Sequence, residues 1–143
     1  MAEQPANLAA SMQQRFKGLL PDLMGIELTD ATPDKVVARL VVRKDLCTIG
    51  DNLHGGAIMA FADTLGAVAA ILNMPQGSRT TTIESKTNFI GSAPLGSHVV
   101  GESAPVHKGR TTVVCQTTVR NEAGKLVALV TQTQLVIAPQ SGV

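Results

Sequence analysis

The chain has 143 residues, 44 % hydrophobic and 16 % charged, with a formal net charge of +1. That length suits one domain, residues 1–143 with a core of about 25–137, and the composition is globular rather than disordered. A charge near zero, with Lys and Arg scattered, predicts neither nucleic acid nor a membrane as partner, and three Phe with no Trp or Tyr leave no base-stacking platform.

Met1–Leu20 carries Glu3 and Arg15 and has no apolar core of signal length. The longest apolar stretch, Gly55 to Leu72, contains Asp63 and is short for a bilayer span, so a cytoplasmic protein is expected. Cys47 and Cys115 stand outside any CxxC or Cys/His pattern and read as reduced thiols.

Asn7 to Leu20 has helix-forming composition, with Pro21 as a stop. Gly25 to Asp30 reads as a short strand, and Thr32-Pro33-Asp34 as a turn. Lys35 to Arg43 alternates, with Val36, Ala38, Leu40 and Val42 on one face, which predicts a half-buried strand. Leu46 to Leu53 has no period and reads as a loop. Gly55 to Leu72 is apolar on almost every side, so the helix it predicts is buried on almost every side; Asn73-Met74-Pro75 ends it.

Four strands follow, at Thr80–Ile90, His98–Val106, Thr111–Arg120 and Lys125–Ile137, each rich in Val, Ile and Thr. Their links carry turn residues, Gly91-Ser92-Ala93-Pro94, Lys108-Gly109 and Asn121 to Gly124, and predict antiparallel neighbours. The tail after Ala138 is expected to fray. The order, two strands, one long apolar helix and four more strands, predicts an α+β domain with one antiparallel sheet wrapped around the helix.

Four groups of residues are candidates for chemistry. Asn52-Leu53-His54-Gly55-Gly56 opens the apolar helix, where free backbone N–H groups and the helix dipole can polarise a carbonyl that glycine lets approach. The plainer alternative is a turn with a capping histidine. Asp63 is a lone carboxylate in an apolar helix, a placement that calls for a partner or a function. The alternative is an ion pair with Lys86 or an arginine.

Thr80-Thr81-Thr82 places hydroxyls at the start of the next strand, where ordinary strand threonines are the plainer alternative. His107-Lys108-Gly109-Arg110-Thr111 is a basic hairpin able to meet phosphates, or simply a solvated tip. No metal-ligand spacing, P-loop, Gly-x-Ser-x-Gly or dinucleotide fingerprint is present.

Gly56 and Asp63 share a helix face but lie about 10 Å apart along the axis at a rise of 1.5 Å per residue. A carbonyl held at the helix mouth is therefore out of reach of the same helix's carboxylate. Two antiparallel copies resolve this, each bringing Asp63 to the other's mouth in a two-fold dimer.

His54-Gly55-Gly56 with Asp63 seven residues beyond Gly56, in this strand–strand–helix–four-strand order, resembles the PaaI-like branch of the hotdog-fold acyl-CoA thioesterases, over roughly Gly25 to Ile137. The resemblance implies hydrolysis of an acyl-CoA, with coenzyme A as part of the substrate and no cofactor. It implies that the Gly55 N–H polarises the carbonyl, that Asp63 of a partner subunit serves as general base or as nucleophile, that Thr82 orients the water, and that His54 lies beside the thioester. Phe89 to Pro94, with Gly91, Ser92 and Pro94, and His107 to Thr112, with Lys108, Gly109, Arg110 and Thr111, match segments lining the coenzyme A channel between subunits. Relatives often carry an asparagine six residues before the histidine; here that position is Thr48, and Asn52 stands nearer.

A homodimer or dimer of dimers is implied, the choice staying open, as does the acyl group. A pocket lined by Met59, Phe61 and Leu65 would suit aryl-acetyl or medium-chain groups alike. Other uses of the same fold are a hotdog enoyl-CoA hydratase and a non-catalytic acyl-CoA binding module.

Overall fold

The computed structural model describes residues 7–141. The absence of a signal in Met1–Leu20 and the fraying tail after Ala138 concern, in part, residues 1–6 and 142–143, which lie outside the described residues. Three helices, α1 (Ala9–Gln14), α2 (Leu20–Met24) and α3 (Gly55–Ile71), accompany six strands: β1 (Glu27–Thr32), β2 (Lys35–Val41), β3 (Arg79–Phe89), β4 (His98–Lys108), β5 (Thr112–Asn121) and β6 (Leu126–Ile137). The strands form one antiparallel sheet in the order β1-β2-β4-β5-β6-β3, and α3 packs across it, as the expected α+β hotdog arrangement requires.

The alternation in β2 is the clearest link from sequence to packing. Val36, Ala38 and Leu40 are fully buried beneath the helix while Val37 and Arg39 turn away. On α3, Ile58, Phe61, Ala62, Leu65, Val68 and Ala69 recur at helical spacing and form the face against the sheet. The approach is close: a Cβ on Gly101 of β4 would stand 2.7 Å from the Phe61 ring, so only glycine admits the helix there.

Three expectations change. The helix expected over Asn7 to Leu20 ends at Gln14, a turn with Gly18 at φ +77 follows, and Pro21 sits in the first turn of α2 instead of stopping α1. Proline fits a first helical turn because its missing N–H has no partner there anyway.

Burial of α3 on almost every side holds only toward the sheet. Met59 is 37 % exposed, and Ala60, Asp63, Thr64 and Ala67 are half-buried on the outer face.

The links after Phe89 also differ. β3 pairs with β6 rather than with its chain neighbour β4, because the segment between them is held against the loop before α3. Leu53 N–H donates to the Ala93 carbonyl at 2.8 Å and Leu95 N–H to the Asp51 carbonyl at 2.8 Å. β3 is thereby carried to the far edge of the sheet.

A bulge at Ile83 completes the placement. Thr82 lies opposite Gln134 and Ser85 opposite Gln132, so three steps on β3 match two on β6. Without the extra residue, the strand beyond Ile83 would turn its helix-facing side chains outward.

Candidate active site

The mouth of α3 is built from backbone. His54 is the N-cap, and its Nδ1 accepts from the Gly56 N–H at 2.7 Å. An accepting Nδ1 places the ring proton on Nε2, which is left as a donor. Gly56 N–H is thus occupied, while Gly55 N–H, the first of the helix, has no acceptor among the described residues. The Gly55 backbone meets Phe89 of β3, since a Cβ there would lie 3.1 Å from the ring. Of the two glycines expected at the mouth, Gly56 is thus engaged by the capping histidine, and the Gly55 N–H, the one the resemblance assigns to the carbonyl, is left unengaged.

Asp63 lies two turns into α3, facing the sheet edge and the open face. Its Oδ1 accepts from the Thr82 hydroxyl at 2.7 Å and from Gln132 Nε2 at 3.3 Å. Gln132 Nε2 also lies 3.4 Å from the Asp63 carbonyl. Behind Thr82, Gln134 Nε2 donates to Thr82 Oγ1 at 2.7 Å, and the Thr80 hydroxyl donates to Gln134 Oε1 at 2.9 Å. No cation pairs with Asp63 among the described residues: Lys86 donates instead to Asn88 Oδ1 at 2.8 Å. In place of the alternative ion pair with Lys86 stands a set of neutral donors.

Gln132 and Gln134 are 1 % and 0 % exposed, in a strand whose other helix-facing residues include Val130 and Val136. Neither stands out in a strand rich in Val, Ile and Thr. Two glutamines at the parity of buried valines were the available signal. Gly66 does not stand out either. A Cβ on it would stand 2.3 Å from Gln132 Cδ, so a glycine in mid-helix makes the space for the amide.

Beside Asp63 runs a groove of about 370 Å³ lined by Met12, Phe16, Leu19, Thr64, Ala67 and Val68 among others. The N-terminal helices roof it over α3. Phe61 and Leu65, expected as pocket lining, are fully buried between helix and sheet, and Met59 stands on the open outer face. Arg15, never singled out as a site residue, lies at the groove.

The remaining candidates fall into two groups. Asn52 bridges to Pro94, and its side chain turns back to the Gly50 carbonyl at 3.2 Å; Gly91 and Ser92 lie on the same segment, beyond Phe89. A Cβ on Gly91 would stand 2.7 Å from the Leu126 carbonyl oxygen, so glycine is required there. Thr48 is exposed in the loop before α3.

Lys108, Gly109, Arg110 and Thr111 sit at the other end of the sheet. Thr111 O accepts from Val136 N–H at 2.8 Å, next to the start of β3. Lys108 reaches Asp34 at 3.4 Å, whereas Arg110 is exposed with no partner among the described residues. Along β6 the two groups are separated by the run from Ala128 to Ile137, about 30 Å at 3.3 Å per residue. One chain therefore does not bring them together.

Burial pushes the Cys115 thiol up to about 11. It is fully buried beneath α3 and takes no part in the site. Among the described residues no helix is long and apolar enough to cross a membrane, and no group of three or more His, Cys, Asp or Glu side chains is gathered as for a metal ion.

Comparison with known proteins gives the family and the fold. The sequence profile of the thioesterase superfamily matches residues 50–128. A Deinococcus radiodurans relative, named as an esterase candidate, is 30 % identical over 130 residues, 87 % of this chain and 80 % of its own length. Thioesterase HI1161 of Haemophilus influenzae superposes with a TM-score of 0.88, at 24 % identity over 99 % of this chain and 98 % of that one. PaaI of Escherichia coli, from the phenylacetic acid degradation operon, gives a TM-score of 0.81 at 20 % identity over 92 % and 93 %. smu.793 of Streptococcus mutans, solved bound to acetyl CoA, gives 0.74 at 26 % identity over 81 % and 91 %. The chain belongs to the thioesterase superfamily, as a hotdog-fold hydrolase of thioesters resembling its PaaI-like branch.

Proposed function

We propose that this protein hydrolyses acyl-CoA thioesters in a site shared by two copies of the chain, with Asp63 as the reacting carboxylate. The observation that carries this reading is the Asp63 carboxylate itself, held at 2.7 Å by Thr82 on the wall of the apolar groove without a cation. A structural carboxylate in an apolar helix would be neutralised; this one is only oriented.

Gly55 and Asp63 are eight residues apart on one helix, about 12 Å at 1.5 Å per residue. A second copy closes that gap if the open edges of β3 pair antiparallel about Ser85. Allowing for the extra residue at Ile83, that register brings Thr82, and with it Asp63, to the level of Thr87 to Phe89 of the second copy, and so near its Gly55. It also sets Glu84 opposite Lys86 of the second copy, a self-complementary pair of charges. Ile83, Phe89 and Ile90, each more than half exposed, would gain cover at the same time.

The same pairing brings the basic hairpin of one copy toward the Asn52–Pro94 segment of the other. A coenzyme A lying between them would meet Lys108 and Arg110 with its phosphates and leave its thioester at the Gly55 N–H. Support for this choice of carrier comes from smu.793, solved with acetyl CoA, and a Streptococcus pneumoniae thioesterase solved with coenzyme A. The acyl group then extends into the groove between Phe16, Leu19 and Val68 of the chain that supplies Asp63.

In the reaction water adds to the thioester carbon, the carbonyl electrons shift toward Gly55 N–H, and collapse expels the coenzyme A thiolate, which takes up a proton. Asp63 removes the water proton, or adds first itself to give an anhydride that water then opens. Coenzyme A is the substrate's carrier, and the chemistry needs no other group.

The test is thiol release from acyl-CoAs, aryl-acetyl through long-chain, by wild type and Asp63→Asn. We expect turnover by wild type and a loss of about 10³-fold or more in kcat for the variant, with KM little changed. Equal turnover by both would remove Asp63 from the chemistry.

A further inference from the structure

We infer that Gln132 and Gln134 are positioning residues that commit Asp63 Oδ1 to hydrogen bonds and leave Oδ2 as the oxygen that acts on substrate. The inference rests on the reading of Asp63 as the reacting carboxylate and adds the reason for its orientation.

The directions of the hydrogen bonds running from Thr80 through Gln134 to Thr82 are fixed by one contact. Thr82 Oγ1 and Asp63 Oδ1 are 2.7 Å apart, so the Thr82 proton must lie between them; otherwise two lone pairs would face each other. Thr82 Oγ1 can then only accept from Gln134, which places Gln134 Nε2 at 2.7 Å and its Oε1 toward Thr80. Thr80 pins that orientation by donating to Oε1 at 2.9 Å. A reversed Gln134 amide would draw the Thr82 proton away from Asp63.

Gln132 acts directly. Its Nε2 points to Asp63 Oδ1, and its Oε1 is buried without a partner among the described residues. Turning the amide over would set an oxygen against the carboxylate and is worse still.

An orphaned acceptor costs of the order of 1–3 kcal/mol, and an apolar residue of the same volume would avoid that cost. A core selected for stability alone has no use for this arrangement, nor for the glycine at 66 that admits it. What the arrangement provides is two donors on Oδ1. Oδ2 has no hydrogen-bond partner among the described residues and keeps its lone pairs for water or the carbonyl carbon.

The experiment compares kcat, KM and melting temperature for Gln132→Met, Gln134→Met, Thr82→Val, the doubles of Thr82→Val with each, and Asp63→Asn, on one acyl-CoA. Methionine keeps the volume and removes the donors. We expect each Met variant to lose about tenfold in kcat with KM within about twofold. Gln134 acts only through Thr82, so adding Gln134→Met to Thr82→Val should cost nothing more. Gln132 acts on Asp63 itself, so adding Gln132→Met to Thr82→Val should cost a further several-fold.

Folded Met variants with wild-type kcat would overturn the inference, as would losses in KM alone or an undiminished Gln134 effect without the Thr82 hydroxyl. If the Met variants do not fold, Thr80→Val in the same two backgrounds decides, with a loss expected only where Thr82 is present. Retained turnover by Asp63→Asn would overturn the reading of Asp63 as the reacting carboxylate and not the positioning network alone.

Discussion

β1 and β3 both end the sheet, and they end it differently. The outer side of β1 is closed by the chain's own N-terminal segment. Leu8 N–H donates to the Ala31 carbonyl at 2.8 Å, Ala31 N–H to Asn7 Oδ1 at 3.2 Å and Leu28 N–H to Gln13 Oε1 at 2.7 Å, while Gln13 Nε2 donates to the Ile26 carbonyl at 3.0 Å. α1 thus caps the short edge with side-chain amides. β3 is nearly twice as long, at 11 residues against 6, and nothing among the described residues covers its outer side. An open edge that long is a pairing surface, and a protein that blunts one edge this thoroughly leaves the other open for a reason. The open edge is also the one that carries Thr82 and touches Gly55.

The largest effect should come from the mouth that β3 would present to a second copy. Gly55→Pro keeps the helix, since proline suits the first helical position and His54 already has the extended backbone a following proline needs; it removes the free N–H and asks the exposed Phe89 ring to give by a few tenths of an ångström. We expect kcat/KM to fall by about 10²–10³-fold in the thiol-release assay with the melting temperature little changed.

Next comes the edge itself. Glu84→Lys would face Lys86 of the second copy twice across the dyad, weakening the dimer by about tenfold in sedimentation equilibrium, and Glu84→Lys with Lys86→Glu should restore it. A third change sharpens the contrast from the other side. Gln13→Ala uncovers β1 and should lower stability by about 1–2 kcal/mol in urea unfolding, leaving association and kcat unchanged. An altered association there would mean that β1 is an interface too.

The smallest effect concerns the thiols. Cys115 is buried with its ionisation pushed up to about 11, and thiolate is the reactive form, so iodoacetamide at pH 8 should label Cys47 and spare Cys115 in the native protein. The folded state holds the Cys115 proton above the pH at which the unfolded chain releases it. This group's contribution to stability is therefore intact below about pH 9 and declines as the pH rises toward 11.

What could be read from the sequence follows how local each feature is. The α3 helix and the alternation of β2 are written in consecutive residues, and so is the lone charge of Asp63. The capping histidine was visible as one possibility, but which N–H it leaves free depends on where its ring turns.

The position of β3 was not legible. Its link to β4 looks like a hairpin turn, and only the attachment of Ala93 and Leu95 to the loop before α3 sends the strand to the far edge. The surroundings of Asp63 come from three separate segments: Thr82 on β3, Gln132 and Gln134 on β6, and Gly66 on the helix. The glutamines stood in view at buried-valine positions. Nothing local paired them with a carboxylate about 70 residues earlier.

The most direct test of a site built from two chains is subunit mixing. Asp63→Asn and Gly55→Pro are each expected to be nearly inactive, one lacking the carboxylate and the other the carbonyl donor. Mixed dimers place both defects in one site and leave the other intact. Unfolding and refolding the two variants together should restore about one quarter of wild-type turnover at equal mixing, since half of the dimers are mixed and one site in each is whole. A mixture as inactive as its parts, with mixed dimers demonstrated by mass, would place Asp63 and Gly55 in the same chain's site and contradict the account.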